Sequence, residues 1–245
     1  KAYAFLPIEG EGLHQIPAGP VPAGIIAPGP SPFTANGETV VRLEQRLGYV
    51  HKGIEGLMAG ATLEAAARLA ARTSGDSTVA YGFAFARAVE AAFGVEAPPR
   101  ATQLRALMAE MERIADHLGD FGAICNDASF ALIQAHCAVL REKVLRAADT
   151  AFGHRLMRDR IVPGGVATDI APGGMAAIRT LIADVKALFP ALVELYDNTA
   201  SLQDRTVTTG TVQPDLARQY APGGYIGRAS GRNFDVRRNL AYAPY

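Results

Sequence analysis

A chain of 245 residues, 49% of them hydrophobic, is long enough to bury a sizeable core, as one large domain or two small ones. Lysine plus arginine balance aspartate plus glutamate at 24 each, so no overall field holds nucleic acid or an anionic membrane, and a partner must be recognised by local shape. Two cysteines, Cys125 and Cys137, are too few for a disulfide scaffold and lie outside any C-x-x-C spacing, which predicts buried thiols in a reducing, cytoplasmic compartment. No run approaches the ~18 apolar residues that span a bilayer. No basic segment leads into an apolar core at the start, so neither insertion nor export is expected. The chain opens on Lys1 rather than Met and stops at "YAPY", which reads as a piece of a longer protein.

From residue 1 to about residue 33 the text is dense in Gly and Pro ("EGEGLHQIPAGPVPAGIIAPGPSPF"), which breaks helices and allows only short strands and turns. "GETVVRLEQRLGYV" alternates apolar and polar positions as a strand does, with Asn36-Gly37 supplying a hairpin turn. The apolar period then changes to 3.6. Residues 61–73, 77–94, 99–126, 130–153 and 173–201 carry apolar side chains at i, i+3, i+4 and i+7, which predicts five helices. Thr62 ahead of Glu64, Pro98 and Pro99 opening the third helix, and Gly94 and Gly153 closing the second and fourth mark their ends. Short links predict that the long three pack as antiparallel neighbours. Pro190 is expected to kink the fifth near Leu188 and Phe189. "QPDLARQY" forms a short helix, and residues 221–245 return to Gly-rich irregular backbone with four arginines. The expected fold is mainly α with a small N-terminal β-sheet: a strand and loop region over 1–60, and a helical bundle with a Gly/Arg-rich C-terminal loop over 61–245, together one domain.

The stretch "RTSGDSTVAYGFAFARAVE" enters its helix through an R-x-S-G-x-S frame at Arg72. Ser74 or Ser77 can cap the helix by accepting a bond from an early backbone N–H, and Asp76 can do the same while favouring the dipole. The alternative is a polar pocket. Tyr81, one turn inside, is read as a core aromatic with its hydroxyl bonded, or as a residue facing that pocket. In "MERIADHLGDFG", the group Glu112, Asp116 and His117 reads as a buried helix face, with a carboxylate–histidine metal site as the weaker reading. His136 is read as a core histidine and His154 as a cation at a helix C-cap. In "GRASGRNFDVRR", Arg228, Asp235, Arg237 and Arg238 invite ion pairs, Arg228 to Asp235 or Asp235 to Arg237. A structural network is one reading there and a catalytic cluster the other. His51 and Lys52 form a polar turn between strand and helix, or a functional pair.

"EGEGLHQIPAGPV", "GYVHKGIEGLM", "MERIADHLGDFG", "RIVPGGV", "DNTASLQDRTVTTG" and "GRASGRNFDVRR", in this order, resemble the large subunit of membrane-associated nickel–iron (NiFe) hydrogenases of the formate hydrogenlyase type. They also resemble the related quinone-site (49 kDa type) subunit of respiratory complex I. The resemblance covers essentially the whole chain and implies the hydrogenase large-subunit helical fold with its C-terminal part absent. In the hydrogenase branch the frame at the helix mouth reads R-x-C-G-x-C, two thiolates that grip a metal. Here Ser74 and Ser77 hold those positions, and a hard, un-ionised hydroxyl suits neither nickel nor low-spin iron. No directly bound metal is therefore expected. The family's second C-x-x-C lies past the point where this chain stops.

The complex I branch uses a His in the Gly-Pro loop, where this chain has Pro22, and a second His is usual where Pro30 stands. Ala27 replaces a Glu usual in the hydrogenase branch. A loop of prolines transfers no protons; that branch also uses a Tyr at the entry to the helix, so the resemblance offers Tyr81 as a quinone contact, with a core aromatic as the other reading. His51-Lys52-Gly53 matches a His-Arg/Lys-Gly that lies near the iron–sulfur cluster of a small partner subunit, where it would raise the cluster's potential and relay protons. The resemblance thus implies an electron-transport subunit of an NADH:quinone oxidoreductase-like or hydrogenase-like complex, without its own NiFe centre. It would be peripheral to the inner face of the cytoplasmic membrane, beside an iron–sulfur small subunit and membrane-arm subunits. The alternatives are a non-catalytic docking homologue and a quinone-binding subunit. The residues implied are His51, Lys52, Arg72, Ser74, Asp76, Ser77, Tyr81, Arg228, Asp235 and Arg237.

Overall fold

Short apolar stretches separated by Gly and Pro cannot sustain a helix, and in the computed structural model they form an antiparallel sheet. Residues 4–19 and 29–245 are described; Pro22 and Ala27 lie outside them. The chain divides into two compact units, 1–56 and 57–245. In the first, β1 (Leu13–Ile16), β2 (Phe33–Asn36) and β3 (Thr39–Leu43) pair in that order. The register Asn36↔Thr39 makes Gly37 and Glu38 the two turn residues, one position later than the sequence suggested. Gly37 adopts φ +58°, the left-handed value that a type II′ hairpin needs at its first turn residue and that Asn36 is spared. The buried Glu44 carboxylate accepts from the Leu6 amide at 3.3 Å and pairs with Arg42 and Arg46 at 3.3 and 3.7 Å, so its burial is compensated.

α1 (Ile54–Met58) straddles the boundary between the units and was not evident from periodicity, being barely one turn long. The second unit continues with α2 (Leu63–Ala70), α3 (Thr78–Phe93), α4 (Pro99–Asp127) and α5 (Ala131–Phe152). A small hairpin of β4 (Ile161–Val162) and β5 (Gly165–Val166) leads to α6 (Gly174–Asp197), α7 (Ala200–Thr206), α8 (Pro214–Tyr220), α9 (Gly224–Ala229) and α10 (Val236–Asn239). Thr62 caps α2 by accepting from the Ala65 amide at 3.2 Å, and Gly94 and Gly153 end α3 and α5 in the left-handed conformation, as their positions predicted.

The core forms where α4 packs on α5 and α5 on α6, around Met108, Leu118, Ile133, Leu140, Phe152 and Leu181. Gly122 sets the α4–α5 spacing: a Cβ there would lie 2.9 Å from Cys137 Cβ and 3.3 Å from the Gln134 backbone, closer than packed atoms tolerate. Cys125 and Cys137 are buried free thiols in this layer, and burial pushes Cys137 up to about 11. Among the described residues no helix is long and apolar enough to cross a membrane.

Three expectations need correction. The helix read as 173–201 stops at Asp197, with Pro190 inside it, and a separate α7 begins at Ala200. The 161–166 hairpin went unread because its strands are two residues each; its Pro163-Gly164 turn has Gly164 at φ +86°, which suits a type II turn. Residues 221–245 are not wholly irregular, since α9 and α10 form there, the latter capped by Asp235, whose side chain accepts from the Arg237 amide.

Candidate functional site

Arg72 leaves the end of α2 and forms a two-point ion pair with Asp159, Nη1 to Oδ1 at 2.5 Å and Nη2 to Oδ2 at 2.6 Å, while Nη1 also donates to the Arg68 carbonyl at 2.9 Å. The guanidinium holds the Asp159 carboxyl below the usual carboxylate range. The pair fastens the α2–α3 turn to the 154–160 loop. Thr78 Oγ1 donates to the Ala71 carbonyl at 2.6 Å and closes the turn from the other side.

Within that turn both serine hydroxyls act as donors. Ser74 Oγ donates to Asp76 Oδ1, and Ser77 Oγ donates to the same oxygen at 3.4 Å. The Ser74 bond, more than any other influence, holds the Asp76 carboxyl below its ordinary value. Ser77 occupies the N-cap position of α3, yet its side chain caps nothing and its backbone (φ −116°, ψ 33°) departs from the extended conformation usual there. The expected serine or aspartate cap is therefore corrected. Two orphan amides of α3 are instead taken by Glu112 of α4: Val79 N donates to Oε2 at 2.6 Å and Ala80 N to Oε1 at 2.9 Å. A tertiary carboxylate replaces a local cap, with the helix dipole favouring its charge.

Glu112 does lie on a buried helix face, 8% exposed. Burial pushes it up to about 7 against the opposing pull of the two amides, and the Asp116 and Asp76 charges add to the rise. Asp116, one turn along α4, is pushed up to about 7 by burial and then by Asp76 and Asp120. Asp76, Glu112, Asp116, Arg141 and Arg155 line a cavity with room for about one water. His117 is exposed, and among the described residues no three His, Cys, Asp or Glu side chains are placed to hold a metal ion.

Tyr81 is 44% exposed, so its reading as a core aromatic is corrected: the apolar face of α3 is formed by Val79, Phe83 and Ala86, and Tyr81 falls off that stripe. His136 is likewise exposed on α5 rather than in the core. His154 is not a C-cap cation. Its Nδ1 accepts from the Leu156 and Arg158 amides at 3.1 and 3.3 Å, and burial followed by Arg158 and Arg160 lowers its pKa, so the ring is neutral at pH 7. His51 and Lys52 are exposed in the first unit, apart in sequence from the α3 mouth.

Near the C-terminus Asp235 accepts from Arg237 at 2.9 and 3.1 Å and from Arg228 at 3.1 Å, so both anticipated pairs form on one carboxylate. The arginines hold it far below the usual range. Arg237 extends to Glu110 on α4 at 3.1 Å, where the Tyr245 hydroxyl donates at 2.5 Å. Tyr242 meets Phe83 edge-on at 5.5 Å and lies under the Arg87 guanidinium at 4.3 Å. The cluster binds the C-terminal segment to α3 and α4.

Sequence reasoning missed Glu110, and it missed a buried ion pair. Arg105 (2% exposed) reaches Glu90 of α3 at 2.5 and 3.1 Å and donates to the Gly165 and Val162 carbonyls at 2.9 and 2.7 Å. Glu90 also accepts from the Gly164 amide at 2.7 Å. Burial alone would raise Glu90, but Arg105 and that amide outweigh it and hold the carboxyl below its ordinary value. The only available signal was a charged pair on otherwise apolar helix faces.

Residues 52–125 match the nickel-dependent hydrogenase family, and residues 130–245 match the 49 kDa subunit of the respiratory-chain NADH dehydrogenase. The chain is 28% identical to formate hydrogenlyase subunit 5 of Escherichia coli (strain K12), over 100% of this chain and 43% of that protein. It is 31% identical to an NADH-quinone oxidoreductase subunit of Roseiflexus sp. (strain RS-1), over 86% of this chain and 57% of the relative. It is 26% identical to the alpha subunit of the membrane-bound hydrogenase of Pyrococcus furiosus, over 91% and 52% respectively. The chain thus spans about half the length of the curated relatives it matches. From residue 52 onward the chain thus carries, in two successive blocks, the nickel-dependent hydrogenase domain and the domain of the 49 kDa subunit of the respiratory-chain NADH dehydrogenase.

Proposed function

We propose that the chain is the large-subunit component of a membrane-associated, NADH:quinone oxidoreductase-like or hydrogenase-like redox complex, and that it carries no nickel–iron centre of its own. The observation behind the second half is the hydrogen bonding of Ser74 and Ser77. Both hydroxyls commit their protons to Asp76. A hydroxyl that keeps its proton is a hard, neutral ligand, so this donor set does not fit a nickel or low-spin iron ion that prefers soft, anionic sulfur. Arg72 and Asp159, Glu112 and the Asp235 cluster would then preserve the shape of the inherited cavity without its metal.

Electrons would enter or leave through a partner. An iron–sulfur small subunit would face the exposed His51 and Lys52, whose cationic and imidazole groups raise a neighbouring cluster's potential. Membrane-arm subunits would hold the assembly at the inner face of the cytoplasmic membrane. A quinone would be the electron acceptor or donor, and Tyr81, exposed one turn inside α3, would offer it a phenol donor. In the assembled complex, Tyr81→Phe is expected to lower quinone reduction by at least tenfold with the complex intact, a loss of general acid–base assistance. Undiminished reduction would remove quinone contact from the reading and leave a docking role. The assembly itself is tested by mild-detergent purification from native membranes: an iron–sulfur subunit and membrane-integral subunits should co-purify in fixed ratio. Recovery of the chain alone, intact and folded, would contradict it.

A further inference from the structure

Two helices of the second unit are joined at one point by a carboxylate used on both oxygens. Glu112 reaches from α4 to the first free amides of α3, those of Val79 and Ala80, and these amides follow directly on the turn that carries Ser74, Asp76 and Ser77. An ionised carboxylate can accept both N–H groups, and each bond is charge-assisted. A protonated carboxyl has one good acceptor oxygen and one hydroxyl that must donate elsewhere, so it cannot serve both amides equally.

The rest of the surroundings work against charge on Glu112. Asp76 faces it from the turn before α3 and Asp116 from the next turn of α4, around the cavity they share with Arg141 of α5 and Arg155 of the loop that follows. Asp120 and Arg113 of α4 act on Asp116 as well. Arg155 is itself engaged by Glu142 at 2.8 Å. Two half-desolvated carboxyls one turn apart do not readily ionise together, and the first proton to leave raises the cost of the second. The cavity is of a size to bring one water to them.

We propose that Glu112 is a proton-sensitive clasp on the mouth of α3: ionised, it grips both amides and holds the 73–77 turn against α4; protonated, it releases one amide and frees that turn to rearrange. Asp116 sets the proton's affinity as the competing carboxyl. The clasp is a property of this chain's own fold and does not depend on the redox role above, so either can fail without the other.

The test is an NMR titration of the 15N-labelled full chain, following the Val79 and Ala80 amide protons from pH 5 to 9. Both are expected to move downfield together as pH rises, with one midpoint near 7. Glu112→Gln should abolish the movement. Asp116→Asn, which removes the competing charge, should lower the midpoint by about one unit. Amides that do not titrate in the native chain, that titrate equally in the Gln variant, or that keep their midpoint in the Asn variant would each overturn the proposal. Should the Gln variant fail to fold, the Asn variant decides.

Discussion

Replacing Arg105 with alanine is expected to destabilise the helical unit by about 3–5 kcal/mol, read as a large drop in the denaturant midpoint. The guanidinium is 2% exposed and engages Glu90 and the carbonyls of Gly165 and Val162. Its removal leaves a buried carboxylate without its counter-charge and two carbonyls without donors, and the desolvation penalty of each then goes uncompensated. The double change Arg105→Met with Glu90→Leu should recover much of the loss, because a buried ion pair replaced whole by apolar groups is often neutral. Recovery should be incomplete, since the Gly164 amide also loses its acceptor. A single Arg105→Ala change that costs less than ~1 kcal/mol would mean that the β4–β5 hairpin is not pinned to α3 and α4 through this pair.

The second large effect is a fall in stability as pH rises from about 4.5 to 7. Unfolded, Glu112 and Asp116 release their protons at ordinary carboxylate values; folded, both hold them to about 7. Across that window the folded state binds more protons, so raising pH favours unfolding. The contribution is fully present below the unfolded pKa and lost through the folded one. Carboxyls held low by partners, such as Asp159 with Arg72, act in the opposite direction at lower pH, beneath this window; His154, whose pKa burial lowers, opposes the fall within it, one group against two. At ~1.4 kcal/mol per pKa unit, Glu112 alone accounts for about 3 kcal/mol. Urea midpoints measured from pH 4.5 to 8 should therefore decline, and Glu112→Gln should flatten the curve. A midpoint that climbs through the same range would contradict the burial of this pair.

The helices from α3 to α6 were legible because each carries one apolar stripe with a proline or glycine at an end, and burial follows that stripe closely. What resisted reading was either too short to show a period or built from residues far apart in the chain. α9 and α10 have six and four residues, and β4 and β5 two each. The α3 mouth is instructive. Local grammar assigns the cap to a serine, but a carboxylate 33 residues downstream takes the amides, and the serines turn to Asp76. His154 misled for a similar reason: its place after α5 suggested a cation, whereas two backbone amides demand an acceptor. Tyr81 looked like core by residue type alone, and its angular position on α3 decided otherwise.

The Arg228, Asp235 and Arg237 motif was readable as ion pairs because both arginines lie close to Asp235 in sequence, seven and two residues away. Its anchor, Glu110, sits 127 residues away from Arg237 and carried no sequence signal. Burial pushes Glu110 up, but the Tyr245 hydroxyl, Arg113 and Arg237 outweigh it and keep it ionised, so the network is charged throughout the physiological range.

The most direct measurement is the nickel content, per copy of this chain, of the complex purified from its native membranes without chelators. Nickel at background, with iron in whole-cluster amounts attributable to the partner subunit, is the predicted result. One nickel per chain, retained through gel filtration, would contradict the assignment of Ser74 and Ser77 as hydrogen-bond donors to Asp76 in place of metal ligands.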